Sequence, residues 1–330
     1  MNDKYDRDIN YLRVSITDRC NLRCKYCLPK EGISLIGHDD ILRYEEILKV
    51  IRVTVGLGIR KIRLTGGEPL VRKGLIEFIG EVNAIDGIND ISLTTNGILL
   101  EAYAEKLFNA GIKRINISLD SLDESKYADI TRGGNLQAVL RGIETVNRVG
   151  FSPIKINTVV IKGFNENEIL DFAGMSLEKP YQIRFIELMP MGGRNRNNQY
   201  LSNDLVMSEI QKVYDLESLN GKRTKTDGPA RIYKIKGGRG ELGFISPVSH
   251  HFCFSCNRLR LTADGQLRAC LLSDDEVDLK ESLRAGCSED ELARIIKSAI
   301  INKPISHNLN TIDEEYHQKK CVREMSTIGG

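Results

Sequence analysis

The stretch TDRCNLRCKYCLPK, residues 17–30, carries three cysteines, Cys20, Cys24 and Cys27, separated by three and then two residues. A structural zinc site closes on four ligands. This triplet offers three, and the closest histidine, His38, lies beyond the loop. Thiolates are soft ligands suited to iron–sulfur clusters, in which four irons usually take four cysteines. Three cysteines on a cubane therefore leave one iron open to a substrate. A second triplet, Cys253, Cys256 and Cys270, lies in CFSCNRLRLTADGQLRAC, so two separate metal centres are expected. For this second triplet, a zinc knuckle completed by His250 or His251 is the competing reading. Cys287 and Cys321 stand apart and read as ordinary thiols. LTGGEP, residues 64–69, adds two adjacent glycines, Gly66 and Gly67, which lack the Cβ that keeps a backbone away from a ligand. On its own that hexapeptide could equally be a turn.

Periodicity supplies the elements that must position these residues. YLRVSIT, KIRLT, ISLTT, RINISLD, KINTVVI and QIRFIEL read as strands, with ILRYEEILKVIRVTVGLG and LLEAYAEKLFNAG as helical stretches between them. Both helical stretches close on glycine, as helix ends often do. A strand–helix repeat of about 30 residues makes parallel βα units. Six units fit before residue 190, whereas a full eight-unit barrel needs about 250 residues, so an open, partial (βα)6 barrel of the α/β class is expected. After MPMGGRNRNNQY, residues 189–200, the rhythm stops. A helix near 203–215, the loop SLNGKRTKTDGPA and the second cysteine triplet suggest a smaller domain, which divides the chain into 1–195 and 196–330.

Buried parallel strands usually read as almost continuously apolar. These alternate instead. YLRVSIT sets Tyr11, Arg13, Ser15 and Thr17 against Leu12, Val14 and Ile16, and RINISLD sets Arg114, Asn116, Ser118 and Asp120 against Ile115, Ile117 and Leu119. The apolar face must take the covering helices, so the polar face is expected to point into the barrel. Strand six is irregular, with Glu187 on the side of Phe185. Arg13, Arg63 and Lys155, on the polar faces of three strands, would be costly in an empty lumen. Each alone could sit at a strand end with its charge in water. Together they favour an anionic, phosphorylated ligand inside.

Composition narrows the partners. The 330 residues are 41% hydrophobic, and 47 Lys and Arg stand against 45 Asp and Glu, a net charge of +2 with no basic block. Nucleic acid and a membrane surface therefore gain no electrostatic support as partners. The start, MNDKYDRDIN, lacks an apolar core, and no run of about 18 apolar residues occurs, so a cytoplasmic protein is expected. In that compartment eight cysteines do not suggest a disulfide framework.

The C-x3-C-x2-C spacing directly after the first strand, with Tyr26 in its next-to-last position, resembles the signature of the radical S-adenosylmethionine (SAM) superfamily. LTGGEP is similar to that superfamily's Gly-Gly-Glu-Pro motif. RVSITDRCN, CNRLRLTADGQLRACL and the terminal Gly-Gly together resemble the GTP 3′,8-cyclase family of molybdenum cofactor biosynthesis, over a match running from Arg13 to Gly330. The resemblance implies a barrel of the radical SAM type and two 4Fe–4S clusters. Cys20, Cys24 and Cys27 would hold the SAM cluster, and Cys253, Cys256 and Cys270 a second one whose open iron contacts guanine. Tyr26, Gly67, Glu68, Ser118 and Met189 would bind SAM, with Glu68 on its amino group. Arg13, Arg63, Thr94, Lys155, Arg258 and Arg260 would hold GTP, joined with less support by Arg184. Arg258, Arg260, Gly329 and Gly330 would serve catalysis, the glycines by reaching into the active site.

In this family the 5′-deoxyadenosyl radical takes the ribose 3′ hydrogen, the carbon radical attacks C8 of guanine, and reduction gives 3′,8-cyclo-7,8-dihydro-GTP. The resemblance also implies an electron donor and a downstream cyclic pyranopterin monophosphate synthase as partners, with a homodimer as a candidate assembly. Guanine and the 3′ carbon come from the resemblance alone, whereas the residues themselves support radical chemistry, a second metal centre and an anionic ligand. Two alternatives stand beside this: a radical SAM peptide-modifying enzyme with auxiliary clusters, and a zinc-stabilised binding module. A cavity with fewer cations and no Gly-Gly tail would mark the first.

Overall fold

All six expected strands form in the computed structural model, which describes residues 1–192, 197–219, 228–307 and 321–329. They are β1 (Tyr11–Ser15), β2 (Lys61–Thr65), β3 (Asp90–Thr95), β4 (Arg114–Ser118), β5 (Ile154–Val160) and β6 (Tyr181–Glu187). Each pairs in parallel with the next, and helices cover the outside, among them α1 (Tyr44–Gly56), α2 (Leu75–Asn83) and α3 (Leu100–Ala110). Side-chain caps start two further helices: Asp123 accepts from Lys126 N ahead of α4 (Glu124–Thr131), and Asn135 accepts from Ala138 N ahead of α5 (Leu136–Val149). The apolar strand faces behave as the alternation requires. Leu12, Val14, Ile62, Leu64, Ile115 and Ile117 are fully buried in one core with the helix residues Val50, Ile51, Ile79, Leu107 and Val146.

The segment after residue 190 supplies β7 (Leu216–Ser218), β8 (Arg231–Ile235), β9 (Glu241–Ile245), β10 (Arg258–Leu261), β11 (Gln266–Arg268) and β12 (Val277–Asp278). The expected helix near 203–215 is observed at Asn203–Gln211, while residues 220–227 of the expected loop lie outside the described residues. These strands join the barrel's own sheet, because its two edges offer unpaired backbone groups. β10 pairs parallel with β1 at one edge, and β9 pairs parallel with β6 at the other. The resulting order is β12-β11-β10-β1-β2-β3-β4-β5-β6-β9-β8-β7. The partial barrel thus carries three C-terminal strands on each flank.

Glu187, the irregular residue of β6, is the joint at one flank. It is buried and accepts from the backbone N–H groups of Asn203, Val248 and Ser249, each at 3.0 Å. Its neighbour Phe185 packs outward against Phe244 of β9, and Arg184 faces inward.

Candidate active site

Register turns the inward faces into rows of charge. Arg260 of β10, Arg13 of β1 and Arg63 of β2 lie side by side, and Ser92 and Arg114 continue the row. One pleat toward the strand starts, Arg258, Tyr11, Lys61 and Asp90 form a second row. With Lys155 and Arg184, eight basic side chains line one cavity of about 280 Å³, and the only carboxylate on its wall among the described residues is Asp120. Asp90 stands behind the wall and pairs with Lys61 at 3.4 Å and with Arg114.

Burial and mutual repulsion strain the remaining cations. Burial, then Arg184, Arg114, Arg63 and Lys61, pull the Lys155 ammonium down to about 6. Arg184 falls to about 9 and Arg260 to about 10 by burial first and neighbouring guanidinium groups second. Tyr11 Oη, Thr94 Oγ1 and Asn157 Oδ1 are buried on the same wall without a hydrogen-bond partner among the described residues. A polyanion with polar edges satisfies both deficits at once.

The first cysteine loop and LTGGEP meet at one end of this cavity. Gly67 N donates to Thr17 O at 2.7 Å, and Glu68 N donates to Arg19 O at 2.8 Å. A Cβ on Gly67 would come within 2.5 Å of Arg19 O and 2.7 Å of Asp18 O. The glycines were expected to admit a ligand. They line the cavity, yet their main steric duty is to let this loop pass directly against the backbone that leads into Cys20.

Glu68 differs from its expected place. It is fully buried and does not line the cavity. Its oxygens accept from Leu70 N at 3.0 Å, Thr95 Oγ1 at 2.8 Å and Asn96 N at 2.7 Å. Burial still pushes its carboxyl up to about 7. Cys20, Cys24, Cys27, Tyr26, Gly67, Ser118 and Met189 all line the cavity. Tyr26 Oη donates at 2.7 Å to Asp120, whose carboxyl burial pushes up to about 6. Cys20 Sγ accepts from Leu22 N at 3.4 Å and Asn96 Nδ2 at 3.7 Å.

The second triplet lines an adjoining cavity together with Arg258, Arg260, His251 and His307. Two buried cations that the sequence did not single out frame it. Arg7 binds Asp3 and donates to Cys253 O at 2.8 Å and Pro304 O at 2.8 Å, and Lys303 Nζ donates to Arg258 O at 2.9 Å and to Ala269 O. His250, a candidate zinc ligand, is instead turned to Asp204 at 2.6 Å. The first triplet thus presents three thiols to the main cavity and the second presents three to the adjoining one, none in a disulfide, a ligand set that suits a cubane with one open iron.

All the expected GTP contacts, Arg13, Arg63, Thr94, Lys155, Arg258 and Arg260, line the main cavity, and Arg184 joins them. Lys61, Arg114 and Asp120 were missed as site residues. All three lay in runs already read as strands, at positions of the inward face. The tail also arrives: Gly329 O accepts from Arg260 Nη1 at 2.8 Å, and a Cβ there would collide with Thr65 Oγ1 and stand 2.8 Å from Ser15 Cβ. Gly330 lies outside the described residues.

Comparison with known proteins agrees with this geometry. Residues 14–175 match the Radical SAM superfamily, and residues 181–309 match Molybdenum Cofactor Synthesis C. The chain is 51% identical to the GTP 3′,8-cyclase of Moorella thermoacetica over 331 residues, and 49% identical to that of Thermodesulfovibrio yellowstonii over 332 residues, covering 100% of each chain. A crystal structure of Streptococcus suis SuiB bound to S-adenosylmethionine superimposes with a TM-score of 0.61 at 13% identity, covering 96% of this chain and 76% of that one, a likeness of fold.

Proposed function

This chain belongs to the GTP 3′,8-cyclase family of radical SAM enzymes, and from that membership we propose how its own residues divide the work. The activity is the first step of molybdenum cofactor biosynthesis, conversion of GTP to (8S)-3′,8-cyclo-7,8-dihydroguanosine 5′-triphosphate through a 5′-deoxyadenosyl radical. When bound, the first 4Fe–4S cluster supplies the electron that cleaves SAM to methionine and that radical.

Cys20, Cys24 and Cys27 would hold the first cluster, and Tyr26, Gly67, Ser118 and Met189, on the same cavity wall, would surround SAM. Glu68 acts from behind, bracing Leu70, Thr95 and Asn96 so that the loop keeps its shape. Cys253, Cys256 and Cys270 would hold the second cluster in the cavity that Arg258 and Arg260 also line. Arg13, Arg63, Lys155, Arg184, Arg258 and Arg260 bind the triphosphate and fix the ribose between the two thiolate sites. Arg260 also fixes Gly329, which brings the chain end to the substrate and keeps water from the radical.

The carrying observation is the unbroken row Arg260–Arg13–Arg63, which runs across a strand from the C-terminal segment and two from the barrel. Its charge suits a nucleoside triphosphate and exceeds what a neutral peptide needs. The proposed divide between 1–195 and 196–330 separates the cysteines of the first cluster from those of the second, while the cationic substrate wall draws on both segments within one sheet. A downstream cyclic pyranopterin monophosphate synthase, an electron donor, a homodimeric assembly and a cytoplasmic location complete the proposal. Among the described residues no helix is long and apolar enough to cross a membrane. The test is anaerobic incubation of the iron-replete enzyme with SAM, reductant and each nucleoside triphosphate in turn. Cyclised product and 5′-deoxyadenosine should form with GTP alone. SAM cleavage that responds equally to all four nucleotides, or stoichiometric zinc without sulfide, would overturn the reading.

A further inference from the structure

Residues 321–329 return to the barrel as a short strap whose inner end belongs to the site. Met325 and Ser326 line the main cavity, and Gly329 O meets Arg260. Cys321 and Ile328 bury against Met191 and Leu272, contacts that hold the strap down without fixing its orientation. Val322 N donates to Asp274 Oδ1 at 3.2 Å, and Arg323 supplies the charged, multidentate contacts. Its Nη1 and Nη2 donate to Asp264 Oδ1 and Oδ2 at 3.2 and 3.0 Å, and its Nε lies 2.8 Å from Glu276 Oε1.

Both acceptors are themselves held. Asp264, in the turn between β10 and β11, accepts from Thr262 Oγ1 at 2.5 Å, and Glu276 also pairs with the fully buried Arg268 of β11. One planar guanidinium therefore reaches two fixed carboxylates at once, a geometry that sets distance and angle together. The hairpin that holds Arg323 is the same one that carries Arg260 on its first strand. Latch and receptor thus share one rigid element, and the short helix Met325–Ile328 spans the interval to Gly329.

We propose that Arg323 is the positioning residue of the C-terminal strap, latching it to the β10–β11 hairpin so that Gly329 meets Arg260 in the active site. This rests on the reading that the strap takes part in cyclisation. The latch acts on the strap and leaves the wall of cations in place, so it should govern turnover more than GTP affinity.

The experiment uses the iron-replete, full-length enzyme with Arg323→Gln, Arg323→Lys, Asp264→Asn and a deletion of Gly329 and Gly330. Hydrogen exchange of strap peptides, kcat and KM for GTP, and iron content are measured on each. Arg323→Gln should speed strap exchange and lower kcat by about tenfold each, with KM for GTP within about threefold and iron unchanged. Arg323→Lys should recover part of both losses, and Asp264→Asn should move them in the same direction by less. Unchanged strap exchange in Arg323→Gln would overturn the latch. Faster exchange with full turnover would overturn its role in the reaction, and an active deletion variant would place that failure in the strap reading itself. If the Gln variant does not accumulate, Asp264→Asn carries the same comparison.

Discussion

The two cysteine triplets are alike in ligand type and number and unlike in electric field. Around the first, burial pushes the Cys20 thiol up and Glu68 adds to it; burial, then Cys27 and Asp120, do the same to Cys24. Around the second, burial raises Cys253, but at Cys256 the charges of Arg258 and Lys303 outweigh burial and hold the thiol at about 6. Nearby carboxylates favour a cationic co-ligand, such as a sulfonium bearing an ammonium group. A positive field favours a reduced, more negative cluster and an anionic substrate beside it. Ligand type and number alone would make the two centres equivalent, whereas their surroundings differ.

Ligand removal breaks the comparison most sharply. Cys20→Ser, Cys24→Ser or Cys27→Ser should lower 5′-deoxyadenosine formation by more than about 100-fold, with or without GTP. Cys253→Ser, Cys256→Ser or Cys270→Ser should remove cyclisation while leaving GTP-free SAM cleavage within about threefold of the parent, assayed anaerobically. Equal loss of both activities in the second set would show that the centres are not separate. Next in size is deletion of Gly329 and Gly330, which should lower cyclisation by about 100-fold with GTP binding and iron content nearly intact.

The substrate side of the contrast sharpens with the arginines. Arg258→Ala or Arg260→Ala should weaken GTP binding by about 1.5–3 kcal/mol, or about tenfold to a hundredfold in Kd by titration calorimetry, with both clusters assembled. An unchanged Kd in the double variant would remove these residues from the binding wall.

The smallest effect is a pH slope. Lys155, held at about 6 by burial and by Arg184, Arg114, Arg63 and Lys61, is largely neutral at pH 7 in the free enzyme. A bound triphosphate restores its charge, so the complex holds more protons and GTP affinity falls as pH rises above about 6, by up to about tenfold per unit. Lys155→Met should flatten that slope, and calorimetry in buffers of different ionisation enthalpy should lose its proton uptake. For folding the sign is opposite. The unfolded chain binds the extra proton, so the ligand-free enzyme should gain stability as pH rises from about 6 toward the lysine's ordinary range. A flat thermal-melt profile across that window would contradict it.

Much of this site was legible because its signals are local. Three thiols spaced for a cluster, a glycine pair before Glu68 and a period-two alternation that sends Arg13, Arg63 and Lys155 inward all follow from chemistry or geometry within a few residues. The same alternation placed Lys61, Arg114 and Asp120 on the inner face. It could not show that Asp90 would neutralise two of these cations, since that depends on which strand lies beside which. Nor could it place β10 next to β1, which puts Arg260 beside Arg13 from 247 residues away, or turn Glu68 into its own loop. The strap and its latch lie in the same category. Side-chain direction along a strand is fixed by the backbone of that strand, and so by sequence. Adjacency between remote segments is fixed by how open sheet edges are closed and buried charges matched, which only the folded chain decides.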